Sequence, residues 1–469
     1  MIAYFLPFIL QTATSLDTLI DSSPVLSGAS FGVTVTRLDG ETLYTRNGEK
    51  RLIPANNQKL LSTMYAVHTL GLDFRPKTTV IECRDQIGVI AEGDPSMSTA
   101  RLVQIGKELV NRNKPVYVQQ AYRPGVPSGW ESDDLINRYA APVYAFTVDQ
   151  GAFRVESVKG VVKPLPSELG VIIARGSTSG SLKVGYNLDL QKVRIDGKLG
   201  TETKTLETLA LRQPDHAAAR FLGTRFADGP LPKYAESFSK KDYFGDPMPK
   251  LLADCLQPSD NQYAEQLLLL TAAKKGVIKD PTSPYEAARQ DEQKFFETVV
   301  GVPKGDLRPI DGSGLARQNL VTTRAIAQML GWAVKQTWFS SYEAALASPG
   351  VGTLKTRLQG SSFRGKTGTL TSVVGLSGYV KSSSGERLIV SIVINNTVDS
   401  SAKVRDCADE IVRWVEATPA FGPALVYSEG DEPSPIQKAI SNASFAAPAG
   451  HRLSGLGDDR RFALPWSHH

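Results

Sequence analysis

Pro54-Ala55-Asn56-Asn57-Gln58-Lys59-Leu60-Leu61-Ser62-Thr63-Met64-Tyr65 is the stretch on which the fold turns. Leu60, Leu61, Met64, Val67 and Leu70 recur at helical spacing, and Gly71 is placed to stop the run, so the pattern predicts a helix over about 57–70. Asn56 and Lys59 are three apart and share one face of it, which Leu60 and Thr63 continue. A hydroxyl three residues before a lysine is a compact way to build an acylating serine, because the lysine can take the hydroxyl proton. In this chain the position of that hydroxyl is held by Asn56, and an amide nitrogen is neither basic nor nucleophilic.

Upstream of this helix, Phe31, Val33 and Val35 alternate with polar or small residues over 30–37, the period of a half-buried strand. Asp39-Gly40 then predicts a hairpin turn into 41–46. Downstream, residues 71–250 have another texture. Short β-rich runs (79–91, 169–174) alternate with polar turns, helical pieces fall at 99–112 and 215–225, and a Gly/Ser cluster spans 176–185. We read this as an inserted β-rich region, organised as two small subdomains.

The helical signal returns from 251. Ser259-Asp260-Asn261 precedes QYAEQLLLLTAAKKG, and all three residues are good N-caps. Helices are predicted over about 284–300, 320–335 and 401–416, a tight loop at Asp311-Gly312-Ser313-Gly314, and strands around 378–381 and at 388–396. The sheet therefore draws its strands from both ends of the chain, which gives a domain of 1–70 plus 251–416. Residues 417–469, rich in Pro, Gly, Ser and Ala, are read as a tail without a core of its own. This α/β (α+β) layout brings Asn56, Lys59, Ser259, Asn261 and Lys366 towards one cleft.

Lys plus Arg exceeds Asp plus Glu by 53 − 48 = 5, and no basic run is interleaved with aromatics, so nucleic acid is not an expected partner. Cys83, Cys255 and Cys407 are too few and too scattered for a disulfide framework or a metal cluster, and the five histidines are not spaced as ligands. No cofactor or metal is expected. Residues 1–15 carry a short apolar run of signal-segment length, too short to span a bilayer, and no other segment is a candidate span.

Taken together, Asn56-Asn57-Gln58-Lys59, Ser259-Asp260-Asn261 and Lys366-Thr367-Gly368 resemble the Ser-x-x-Lys, Ser-x-Asn and Lys-Thr-Gly motifs of class C low-molecular-mass penicillin-binding proteins, the D-alanyl-D-alanine carboxypeptidases and endopeptidases. Gly93-Asp94-Pro95, Ala141-Pro142-Val143, Asp311-Gly312-Ser313-Gly314-Leu315 and Gly352-Thr353-Leu354 match the family's flanks, and the resemblance covers about 30–415. It implies the serine β-lactamase/penicillin-binding transpeptidase fold, an exported or periplasmic location, and peptidoglycan stem peptides ending in D-Ala-D-Ala as partners. Carried over by position, it makes Lys59 the base, Ser259 the relay to the leaving amine and Asn261 a donor to the substrate amide. Lys366 and Thr367 would receive the terminal carboxylate. Gly368 would let the peptide lie against the strand, and the N–H groups of residues 56 and Thr369 would form the oxyanion hole.

The departure is at position 56. Ser62 and Thr63 lie almost two turns further on, and Ser237-Phe238-Ser239-Lys240 repeats the first motif only 22 residues before Ser259, without the apolar helix that should follow. Two functions stay open: serine acyl transfer through another hydroxyl, or an inactive relative that binds stem peptides, and β-lactams non-covalently, in a retained cleft. A third reading makes the insertion a protein-interaction surface.

Overall fold

The computed structural model describes residues 15–421, apart from 232 and 234–236, together with the backbone of 425–427. Most of the expected tail, and the apolar start of the chain, lie outside the described residues.

The hairpin reading holds: β1 (Ser30–Arg37) pairs antiparallel with β2 (Thr42–Arg46). From the other end of the chain come β3 (Arg364–Leu370), β4 (Val373–Lys381) and β5 (Arg387–Asn395). The sheet runs β3-β4-β5-β1-β2, with Leu425–Tyr427 added parallel to β2. β5 is a nearly continuous apolar run because both its faces are covered. Its Val390, Ile392 and Ile394 belong to the same core as Val404, Ile411 and Val415 of helix Ser401–Ala417. Ile389 and Val393 belong instead to the core that holds Leu330 of helix Thr323–Val334.

On that second face two positions of β5 are polar for a reason. Asn395 accepts from Ile53 N (2.7 Å) and donates to Ile53 O (3.0 Å), and Ser391 Oγ lies 3.0 Å from Ser377 Oγ, which accepts from Asn57 Nδ2 (3.1 Å). The sheet thus pins residues 53–57, and with them the start of α1 (Gln58–Leu70). α1 is buried on every side through Val67, as expected of a central helix, and packs against α2 (Asn261–Lys274).

Residues 71–250 form a five-stranded mixed sheet and two three-stranded sheets. Three expected helices shift. The piece expected at 99–112 ends at Glu108, because Glu82 accepts from Val110 N and Asn111 N (2.9 Å each) and draws the chain away. The piece at 215–225 spans only Pro214–Ala219, since Arg225–Ala227 is taken into the five-stranded sheet beside Pro115–Gln120. The helix expected from 320 starts at Thr323, capped by Thr322, after a two-residue strand. Each shift is tertiary pairing overriding local propensity. All three cysteines are buried, and none of them forms a disulfide among the described residues.

Candidate active-site cleft

The chain enters α1 through a left-handed Ala55 (φ 48°). Two glycines make room for that turn. A Cβ on Gly314 would lie 1.9 Å from Ala55 O, and one on Gly368 would lie 2.9 Å from Asn56 N and 3.1 Å from Pro54 O. Residues 54–56 are therefore held between the 311–316 loop and β3, and residue 56 faces the cleft.

In the first turn of α1, Lys59 is fully buried, and its Nζ donates to three oxygens: Asn56 Oδ1 (2.8 Å), Asn261 Oδ1 (2.6 Å) and Ser313 O (2.8 Å). Burial lowers its pKa to about 8, against the opposing pull of nearby acids that include Glu265, Asp311 and Asp260. The Cys255 thiol beside it is pushed up to about 12 by burial, so it stays uncharged at neutral pH.

At Ser259-Asp260-Asn261 the capping reading and the chemical reading are both met, by different residues. Asp260 caps α2, accepting from Tyr263 N (3.1 Å). Ser259, at φ 63°, accepts from Lys366 Nζ (2.8 Å), while Asn261 accepts from Lys59 and donates to Tyr139 O (2.7 Å). Lys366, fully buried on β3, also donates to its neighbour's Thr367 O (2.8 Å). Burial, with the nearby Lys59 charge, holds its ammonium well below the ordinary range. Thr367 Oγ1 donates to Thr353 Oγ1 (2.7 Å).

The cleft itself, about 330 Å³, is lined by Asn56, Ser259, Asn261 and Thr369 together with Glu131, Asp134, Tyr139, Leu315, Arg317, Leu370 and Thr371. Of the eight residues singled out from the sequence, four form its wall, and Lys59, Lys366, Thr367 and Gly368 stand behind it. Ser237 and Lys240 instead sit on strand Ser237–Phe244, at the edge of the five-stranded sheet.

The sequence reading missed the contribution of the insertion. Trp130 Nε1 donates to Asp311 Oδ2 (2.9 Å), Arg317 pairs with Glu131 (2.9 Å), and Gln266 Nε2 donates to Tyr144 O (2.8 Å). The 122–146 segment has no apolar period to place it, and only Ala141-Pro142-Val143 marked it as part of the site.

The sequence profile of the D-Ala-D-Ala carboxypeptidase 3 (S13) family matches residues 12–418. A D-alanyl-D-alanine carboxypeptidase of an Actinomadura species is 27% identical over 431 residues, covering 79% of each chain. A penicillin-sensitive carboxypeptidase A of Dictyostelium discoideum is 22% identical, covering 82% of this chain and 87% of its own. Among solved structures, penicillin binding protein 4 of Haemophilus influenzae superposes with a TM-score of 0.70 at 21% identity, over 86% of this chain and 99% of its own. The fold is that of the penicillin-binding serine carboxypeptidases. The chain belongs to the D-Ala-D-Ala carboxypeptidase 3 (S13) family.

Proposed function

We propose that this protein binds peptidoglycan stem peptides ending in D-Ala-D-Ala in the cleft between α1, α2 and β3, and that it forms no acyl-enzyme at residue 56. The observation that carries this reading is the pair Asn56–Lys59. The amide oxygen of Asn56 only accepts, so Lys59 Nζ donates to it and has no hydroxyl proton there to remove. In its family, residue 56 is the place of the nucleophilic serine. An asparagine side chain, larger than serine, takes up part of the space that a scissile carbonyl would need.

The donors around that position are retained. In this reading Thr369 and residue 56 offer backbone N–H groups to the peptide carbonyl, and Asn261 holds the amide. Thr367 with Lys366 receives the terminal carboxylate, and Ser259 links Lys366 to the ligand. Gly368 leaves room for the 54–56 turn that presents residue 56 to the peptide. Arg317, Glu131, Asp134 and Tyr139 also line the cleft, and in this reading they meet the rest of the stem peptide. The reading places the protein in the periplasm or cell envelope, where such peptides occur. No helix among the described residues is long and apolar enough to cross a membrane.

Calorimetric titration with a D-Ala-D-Ala-terminated peptide tests the binding function. Saturable binding that weakens on Lys366→Ala is expected, and absence of binding by the unchanged protein overturns it.

A further inference from the structure

Glu265 has no part in the function proposed above, yet it is fully buried one turn beyond Asn261 on α2, so the two side chains share a helix face. Its Oε2 accepts from Gly312 N (2.9 Å) and from Tyr285 OH (3.0 Å), and its Oε1 from Ser313 N (2.8 Å). The same Ser313 presents its carbonyl to Lys59 Nζ at 2.8 Å. A burial this complete leaves a carboxylate stable only if its lone pairs are satisfied and a positive charge is near. The two backbone donors and the tyrosine meet the first condition, and Lys59 meets the second; burial and the Asp311 charge still push the Glu265 carboxyl up to about 7, so its negative charge is complete only above neutral pH, in the range where Lys59 titrates.

The loop is built for this contact. Asp311 holds its other end, accepting from Gly314 N (2.8 Å), Ala316 N (2.7 Å) and Asn319 Nδ2 (2.8 Å). Ser62 Oγ of α1 donates to Gly312 O (2.8 Å), and a Cβ on Gly312 would lie 2.6 Å from Ala264 O, so only glycine lets the loop approach α2 this closely.

We propose that Glu265 is a positioning residue of the cleft: through two backbone N–H groups it fixes the Ser313 carbonyl against Lys59, and it supplies buried negative charge that keeps the Lys59 ammonium inside the protein. The groups that face this pair are Asp311 from the loop, Asp260 at the start of α2, Cys255 from helix Met248–Leu256, Tyr285 and Glu292 from helix Tyr285–Phe295, and Lys366 from β3. Glu292 is not equivalent to Glu265. Burial and the neighbouring acids push its carboxyl well up, and its Oε1 has no hydrogen-bond partner among the described residues, whereas both oxygens of Glu265 accept from backbone N–H groups. The inference rests on Lys59 belonging to the cleft, and its test needs no ligand, so its failure leaves the binding function standing.

The test is the titration of Lys59 in protein carrying 13C-labelled lysine, its signal assigned by loss in Lys59→Arg. Glu265→Gln is expected to lower the midpoint by about one pH unit or more, roughly tenfold in proton affinity, because a nearby anion no longer favours the charged form. Glu265→Asp is expected to restore part of that shift, and Glu292→Gln to leave the midpoint in place. If Glu265→Gln does not fold, Glu265→Asp alone carries the test through a smaller downward shift. A midpoint that neither Glu265 variant moves, or an equal shift from Glu292→Gln, overturns the proposal.

Discussion

Lys59 Nζ stands 2.8 Å from Asn56 Oδ1, and the direction of that hydrogen bond decides the chemistry of the cleft. A serine hydroxyl at residue 56 would donate its proton to a neutral lysine. An amide oxygen instead accepts a hydrogen bond from the lysine and gives it no proton to take. With Asn261 and Ser313 as the other two acceptors, all three ammonium protons are engaged, and Lys59 becomes a fixed buried cation.

That cation has a signature in stability. The folded pKa of Lys59 is lowered from 10.5 to about 8, so the folded state disfavours the charged form. The cost is present in full below about pH 8 and fades as pH rises towards 10.5; its size is roughly 3 kcal/mol. Urea unfolding of the native protein and of Lys59→Met at a series of pH values checks this. Native stability is expected to gain on the variant between pH 8 and 10.5, and parallel curves would contradict it.

Lys366 gives a second pH-linked outcome. Its ammonium is disfavoured in the empty cleft by burial and by Lys59. A carboxylate arriving beside it favours the charged form, so peptide binding near pH 8 is expected to take up protons. Calorimetry in two buffers of different ionisation enthalpy reads that number directly. Lys366→Ala is expected to abolish the uptake and to weaken binding by about 1.5–3 kcal/mol, the scale of a lost hydrogen bond to a charged group.

Gly314 is where backbone and site meet. An alanine there would carry its Cβ 1.9 Å from Ala55 O, on a backbone with φ +84°. Gly314→Ala is expected to destabilise the protein by about 3 kcal/mol, from overpacking and left-handed strain together, as read by denaturant unfolding. It should also weaken peptide binding, because Asn56 would move with Ala55.

Much of this could be read from the residues, for reasons the structure makes plain. The alternation in 30–37, the apolar run that becomes β5 and the apolar face that becomes α1 are local patterns set by burial, and each forms where it was expected. The three motifs converge because the sheet draws strands from both ends of the chain. What local pattern does not carry is long-range pairing. Glu131 and Tyr139 reach the cleft because their loop is tied to α2 and the 311–316 loop through Asn261, Gln266 and Asp311. Glu265 looked like an ordinary member of a helix, since its partners are backbone amides 47 and 48 residues away.

The most direct measurement of the central claim is intact mass after incubation with benzylpenicillin, made on the native protein and on Asn56→Ser. No covalent adduct is expected on the native protein, whose residue 56 has no oxygen able to attack, and one adduct, mapping to residue 56, is expected on the variant. An adduct on the unchanged protein would contradict the account.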